Sequence, residues 1–291
     1  MAFCSIEAMI ARAGDGPLWE AVLLDDCRDR GASRGESLER MGTLWAAMGD
    51  VMARYDGERR SPSGLVGGGG QRMETLADPL CGDFLREVMA GALKTGECNA
   101  CMGRIVAAPT AGASGVLPGV LLPVQKRYGF SDEVMIQALY VAAGFGQVIA
   151  SRASISGAEG GCQAEIGSAG GMAAAALVFL RGGTGAEMSA ACATALQNLM
   201  GLVCDPVAGL VEVPCVGRNV IGALAALSAA DLALCGAGSP IPCDEVIDAM
   251  RAVGEALPAS LRETGKGGLA ATPTGRRIAA QLEKSQQLKK S

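Results

Sequence analysis

The chain has 291 residues, a formal net charge of −5 and no histidine. This length is enough for one large domain or two modest ones with a substantial core. The acidic balance provides no basic face for a nucleic acid, and the lack of histidine excludes Ser-His-Asp and Cys-His catalysis within this chain. Hydrophobic residues make up 49% of the sequence but aromatic residues only 3%. A core of small and aliphatic side chains favours a mainly α-helical fold with closely packed helices.

Residues 1–56 are predicted to form an N-terminal segment of two or three amphipathic helices. An apolar stripe from Leu38 to Met52 recurs at intervals of three and four residues, which is typical of a core-facing helix. A glycine-rich stretch, Arg59–Gly70, then breaks the regularity. A flexible linker and an ordered functional loop both remain open there, because Leu65 and Val66 interrupt the polar composition.

Beyond this stretch the pattern remains helical. A helix is predicted over Pro79–Thr95, and Ser131 offers an N-cap for another, with acidic residues in its first turn. A glycine-rich segment begins at Glu263, and few runs show the alternation of a strand. The remaining predicted helices cover about 131–150, 163–181, 185–201, 217–235 and 243–256.

Two uncharged stretches, Ile105–Gln125 and Val134–Ser151, invite comparison with membrane spans. The first contains three prolines and the second two glutamines, so neither resembles a continuous apolar span. No membrane association is predicted. The eleven cysteines are an odd number and no secretory signal is visible at the N-terminus. The sequence therefore predicts a cytoplasmic protein whose thiols are mostly reduced.

A single Cys-x-x-Cys motif joins Cys98 and Cys101. Without a second pair or any histidine it does not indicate a zinc site, and two structural thiols are the simpler interpretation. Lys266, in Thr-Gly-Lys-Gly-Gly, suggests a pyridoxal phosphate Schiff base at first sight. No series of strands and helices surrounds it to position the phosphate, so this cofactor is not expected.

Three other cysteines lie in the least helix-like surroundings of the chain. Cys162 follows two glycines, Cys204 precedes Asp-Pro, and Cys215 follows Val-Pro. Amides at the start of a helix and in irregular loops stabilise a thiolate or a negatively charged cluster. Three thiolates suit an iron–sulfur cluster with one open iron, but spacing alone leaves buried structural thiols as an alternative.

The flanking residues resemble a known family. Gly157–Gly167 is similar to the first cluster motif of the iron–sulfur-dependent L-serine dehydratases, and Asn198–Cys215 with Arg218-Asn219 resembles the second and third. The segments Ala108–Gly112 and Leu261–Ala270 agree as well. The resemblance covers roughly residues 60–277 and is closest to the alpha subunit of the two-subunit form.

The resemblance implies a [4Fe-4S] cluster held by Cys162, Cys204 and Cys215, without pyridoxal phosphate. It implies that L-serine loses water by β-elimination and yields pyruvate and ammonia, a reaction of amino-acid catabolism that can supply gluconeogenesis. Residues 57–291 would be the catalytic domain, continuous with the N-terminal segment. Threonine deamination, cysteine desulfuration and a non-catalytic iron–sulfur or scaffold subunit remain as alternatives.

The substrate carboxylate needs amide and hydroxyl donors, and glycine-rich backbone lets amides approach an anion. Arg218 is a further candidate, although a helix-cap ion pair would also account for it. No base is assigned, and a beta subunit is expected to supply essential groups because this chain has no histidine. The predicted substrate-binding residues are Ser61, Ser63, Gly64, Pro109, Thr110, Ala111, Gly112 and Arg218.

Overall fold

Thirteen α-helices make up most of residues 3–288, the part of the chain that the computed structural model describes. A π-helical turn, Gln163–Gly167, leads directly into α9. The mainly α-helical fold is as predicted. The helices are α1 Ile6–Ala13, α2 Leu18–Arg30, α3 Arg34–Ala53, α4 Gly69–Glu74, α5 Gly82–Ala100, α6 Val116–Tyr128, α7 Asp132–Arg152, α8 Gly157–Gly160, α9 Ser168–Leu180, α10 Gly185–Leu199, α11 Cys215–Leu234, α12 Cys243–Ala256 and α13 Pro273–Leu288.

Helix α9 lies at the centre of the structure and packs against α7, α10 and α11. Almost every one of its residues is buried, because the run from Ala169 to Ala176 carries only small side chains and one methionine. Small residues allow close helix–helix approach. A Cβ added at Gly171, for example, would lie 2.8 Å from Cys192 Sγ of α10. The small-residue composition thus becomes a tightly packed helical core.

The N-terminal helices pack on the same body. A capping box between Ser33 and Glu36 begins α3, and the indole of Trp45 in this helix donates a hydrogen bond to Asp132 at 3.0 Å. Ser37 is hydrogen-bonded to the buried Tyr140 hydroxyl at 2.6 Å. Both contacts join α3 to α7, and buried polar groups need such partners.

Two predicted helices have different boundaries in the structure, and α4, α6, α8 and α13 were not predicted as helices. Helix α5 begins at Gly82 and continues to Ala100, so that Cys98 is helical and Cys101 directly follows the helix. Helix α11 begins at Cys215, two residues earlier than predicted. Helix α13 was not predicted, because the glycines from Gly265 onward conceal a helix that begins at Pro273.

Within residues 3–288, three helical stretches are by length and composition alone apolar enough to cross a membrane. They are Asp132–Arg152, Gln163–Leu180 and Cys215–Leu234, with 61%, 89% and 44% of their most apolar window buried inside the protein. The middle stretch consists of the π-helical turn and the core helix α9. Its high hydropathy follows from its burial inside the protein. The absence of membrane association stays a prediction.

Candidate iron–sulfur site

Cys204 lies in the loop between α10 and α11, held by residues far along the chain. Its amide donates to Leu261 O at 2.9 Å, and its carbonyl accepts from the amide of Glu263 at 2.8 Å. These bonds form a short parallel bridge to Arg262, the only β pairing within residues 3–288. Cys215 follows the same loop and begins α11. The bridge therefore positions the loop that carries two of the predicted ligands.

Cys162 is brought to this loop by its neighbour Gln163. The Gln163 amide donates to Leu202 O at 2.9 Å, while its side chain accepts from Gly201 N at 2.8 Å and donates to Met250 O at 2.9 Å. Cys162 itself immediately precedes the π-helical turn, in agreement with the prediction that it opens a helix. A fully buried side-chain amide thus joins the Cys162 segment to the residues before Cys204.

The three predicted cysteines are all buried, with Cys162 and Cys204 each 2% exposed and Cys215 6% exposed. The two sulfurs of Cys162 and Cys204 and a carboxylate oxygen of Glu165 lie within 4.8 Å of one another. Cys215 is outside this group, but it lies close enough to raise the pKa of Cys204, and Cys162 in turn raises the pKa of Cys215. The fold therefore brings the three cysteines together from two separate segments.

The three thiols differ in acidity. The pKa of Cys162 is below its ordinary value because Cys204 hydrogen-bonds to its sulfur, and the Arg218 guanidinium stabilises the thiolate. The same hydrogen bond, with burial, raises the pKa of Cys204. Burial raises the pKa of Cys215 to about 12. A low-dielectric environment disfavours several like charges together, so Cys162 is the most acidic of the three thiols.

Arg218, in the first turns of α11, is the positive charge of the site. It donates to Asp205 Oδ1 at 2.9 Å and to Val203 O at 2.7 Å, and it also hydrogen-bonds to Cys162. Asp205 is 3% exposed and accepts a second bond from Leu269 N at 2.8 Å. Arg218 thus forms an ion pair with a residue of the preceding loop and also faces a predicted ligand. Its role toward a substrate carboxylate stays a prediction.

The turn Pro109–Gly112 lies beside the thiols. Thr110 donates its hydroxyl hydrogen to Glu165 Oε1 at 2.7 Å, and a Cβ added at Gly112 would lie 3.0 Å from that oxygen. Burial raises the pKa of Glu165, although the bond from Thr110 opposes the shift. Asn219 links the turn to the third cysteine, because its side-chain amide donates to Gly112 O and to Cys215 O.

The glycine-rich loop is ordered by internal carboxylates. Ser61 donates to Glu212 at 2.8 Å, and Ser63 hydrogen-bonds to the same carboxylate. The amides of Gly69 and Gly70 donate to Glu97 at 2.8 and 3.0 Å. Of the two possibilities left open by the sequence, the stretch Arg59–Gly70 is therefore an ordered loop and not a flexible linker. Glu212 lies between Cys204 and Cys215, so the loop is joined to the thiol site.

The predicted substrate-binding residues thus fall into two groups. The turn Pro109–Gly112, with Thr110 and Ala111 inside it, and Arg218 lie at the thiols. Ser61, Ser63 and Gly64 belong to the glycine-rich loop, whose two serine hydroxyls already bind Glu212. Their role in binding a substrate carboxylate stays a prediction. Sequence reasoning did not single out Glu165. Its separation of three residues from Cys162 on a helical turn was the signal that places both side chains on one face.

Comparison with known proteins identifies the family to which this chain belongs. The serine dehydratase alpha chain family matches residues 15–270, which extends the predicted similarity into the N-terminal helices. The chain belongs to this family and is a subunit of an enzyme of the ammonia-lyase class, as the sequence predicted.

The most similar relatives include proteins named L-serine dehydratase. The chain is 54% identical over 221 residues to the probable L-serine dehydratase, alpha chain, of Bacillus subtilis, which covers 75% of this chain and 74% of that protein. It is 56% identical over 200 residues to the protein of the same description from Latilactobacillus sakei, covering 69% and 96%. It is 46% identical over 202 residues to L-serine dehydratase 2 of Escherichia coli, covering 68% of this chain but 43% of that protein.

Proposed function

We propose that this chain is the cluster-binding alpha subunit of an enzyme that removes water from L-serine and releases pyruvate and ammonia. The relatives named L-serine dehydratase support the substrate. The observation that carries the proposal is the convergence of Cys162, Cys204 and Cys215 in one buried site beside Arg218. A purely structural role would not require the charge of Arg218 beside Cys162 and Cys215.

The residues of the site fit a [4Fe-4S] cluster in their donor chemistry. Three cysteine sulfurs are the ligands that such a cluster takes, and three of them leave one iron with an exchangeable position. Arg218 balances negative charge at Cys162. When bound, the cluster would supply a Lewis acid that makes the substrate hydroxyl a better leaving group. Pyridoxal phosphate has no role in this proposal.

The chain's own residues would orient the substrate. Hydrogen bonds from Thr110 to Glu165 and from Asn219 to Gly112 hold the Pro109–Gly112 turn next to the thiols. Arg218 can attract a substrate carboxylate to the same place. The Ser61–Gly64 segment is held near the thiol site by the hydrogen bond from Ser61 to Glu212. Both loops would thus contribute donors around one substrate, with the buried surroundings excluding water from the reacting bonds.

The base that removes the Cα proton is proposed to come from a beta chain. This chain has no histidine, and histidine is the side chain that most often performs general base catalysis near neutral pH. The relatives described as alpha chains support a companion subunit. A cytoplasmic location is part of the same proposal, since a reducing compartment keeps the ligand thiols free.

Anaerobic reconstitution tests the proposal. The chain is loaded with iron and sulfide, its iron and acid-labile sulfide are counted, and pyruvate is assayed with L-serine, with and without a beta chain. The expected result is cluster binding by this chain alone and full turnover only with the partner. Threonine and cysteine as substrates, with their own keto-acid and sulfide assays, decide between the related eliminations. Cluster binding with no turnover on any of them in the assembled protein would favour a scaffold role instead.

A further inference from the structure

The spacing of the ligand atoms at the site carries information beyond the proposed reaction. Within residues 3–288, one group of three cysteine or acidic side chains has its ligand atoms within 4.8 Å of one another, and it consists of Cys162, Glu165 and Cys204. Cys215 does not belong to it. The closest set of donors in this fold is therefore two sulfurs and one carboxylate oxygen, not the three sulfurs expected to hold a cluster.

In the cluster-free chain this spacing is short enough for a single ion. Around a tetrahedral zinc ion with metal–sulfur bonds of about 2.3 Å, two sulfurs are separated by about 3.8 Å. In a cluster each cysteine binds a different iron, so an additional iron–iron edge separates the two sulfurs. Cys162 and Cys204 are hydrogen-bonded to each other, and their sulfurs lie within 4.8 Å, so that one ion can reach both.

The surroundings hold these three side chains in place. Thr110 donates to Glu165 Oε1 at 2.7 Å and fixes the carboxylate, as outer partners commonly do for metal ligands. A Cβ added at Gly157 would lie 2.7 Å from the other Glu165 oxygen and 3.0 Å from Cys204 Sγ. The backbone at Gly157 thus packs against two of the three ligands and restricts their movement.

We propose that the cluster-free chain binds a single divalent ion of the zinc and cobalt type through Cys162, Cys204 and Glu165, without Cys215. Thiolate and carboxylate together are a donor set that zinc accepts, with a fourth position open to water. Such an ion competes with cluster assembly, because it occupies two of the three predicted cluster ligands. The inference uses residues of the proposed function but does not require the dehydration reaction.

Cobalt(II) is the probe, because cobalt–thiolate charge transfer and tetrahedral d–d bands report its ligands directly. The full-length, cluster-free chain is titrated anaerobically. One cobalt per chain with tetrahedral, sulfur-ligated spectra is expected. Cys162→Ser and Cys204→Ser should abolish this binding, and Glu165→Gln should weaken it and alter the d–d bands. Thr110→Val, which removes the hydrogen bond to Glu165, should lower the affinity roughly tenfold.

Cys215→Ser is the decisive variant, since it should retain the cobalt spectrum while losing the cluster. Cys235→Ser, at an exposed thiol outside the site, is the matched control and should bind cobalt like the unmodified chain. Circular dichroism confirms that each variant is folded. Loss of cobalt in Cys215→Ser equal to that in Cys204→Ser would overturn the inference, and so would unchanged binding in Glu165→Gln.

The assay separates this inference from the proposed function. Selective cobalt binding in a chain that forms no pyruvate after cluster loading and addition of a beta chain would contradict only the dehydratase proposal. Full pyruvate formation in a chain whose cobalt binding depends on Cys215 would contradict only the single-ion site. Adding zinc before iron and sulfide should also reduce cluster loading in the unmodified chain, measured as acid-labile sulfide.

Discussion

The three-cysteine site and the Cys98–Cys101 pair contain thiols in very different electrostatic surroundings. At the site, a hydrogen bond from Cys204 and the charge of Arg218 lower the pKa of Cys162. At the pair, burial raises the pKa of both thiols, opposed only by the charge of Arg59. The short motif that looks most like a metal site in the sequence therefore lacks a stabilised thiolate, whereas the dispersed cysteines possess one. Tertiary neighbours, and not spacing in the chain, determine which thiols can bind a metal.

Removing one thiol from each region tests this contrast with the largest expected effect. Cys204→Ser should abolish both the iron–sulfur chromophore and pyruvate formation in the reconstituted enzyme, because only two of three proposed ligands remain. Iron and sulfide analysis and the pyruvate assay measure the result. The matched variant at the other region is Cys98→Ser, which should retain both. Equal losses in the two variants would remove the functional distinction between the regions.

The pH dependence of stability provides the second test. The pKa of Cys215 rises from an ordinary value of 9.0 to about 12 in the folded, metal-free chain. Between these values the folded state holds a proton that the unfolded state has lost, so stability falls as the pH rises. The slope approaches 1.4 kcal/mol per pH unit for one such group. Urea unfolding at several alkaline pH values should show a shallower decline in Cys215→Ser, and an unchanged slope would contradict the assignment.

Substitutions at two buried carboxylates are expected to have effects of intermediate size. Glu212 joins the glycine-rich loop to the thiol site through Ser61 and Ser63, while Glu97 joins the same loop to α5 through Gly69 and Gly70. Glu212→Gln and Glu97→Gln should each reduce the free energy of unfolding by about 1–3 kcal/mol, since buried donors lose a charged acceptor.

Only one of these two variants is expected to affect the reaction beyond its effect on stability. Glu212→Gln should lower kcat/KM for L-serine at a temperature where both variants remain folded, because it loosens the loop that carries Cys204 and Cys215. Glu97→Gln serves as the control with a similar stability loss. Equal kinetic effects in the two variants would show that the loop acts through general stability alone.

The smallest effect is expected at the Cys-x-x-Cys pair itself. Cys98→Ser should change the free energy of unfolding by less than about 1 kcal/mol, because this thiol is only partly buried and its sulfur is 3.6 Å from the carbonyl oxygen of Arg104. Chemical unfolding of the cluster-free chain measures the change. A destabilisation of several kcal/mol would show that the pair has a larger structural role than its surroundings indicate.

Much of the helical architecture could be predicted from local patterns. The capping box at Ser33 and the acidic first turn after Ser131 mark helix starts that the structure contains. The end of α5 could not be predicted in the same way, because the helix continues through Glu97, whose burial against the glycine-rich loop stabilises the final turn. Tertiary contacts of this kind override weak local preferences.

The candidate site was predictable only in part. Its cysteines were recognisable from their flanking residues, but the position of Glu165 depends on Thr110, which is 55 residues away in the chain. The charge on Asp205 was visible beside Cys204, yet its pairing with Arg218 follows from the start of α11. Hydrogen bonds between distant residues leave no periodic signal in a sequence.

The sequence by itself determined a helical enzyme subunit with an acidic surface balance, a core of small side chains and three distinctive cysteines. Its composition decided the first features, because alanine and glycine favour close helix packing, and its motifs decided the family. Only the tertiary structure decided which two thiols are neighbours, that Glu165 joins them, and that Arg218 shares its charge between Asp205 and Cys162. Electrostatic interactions depend on distance in space and on burial, and neither is fixed by distance along the chain.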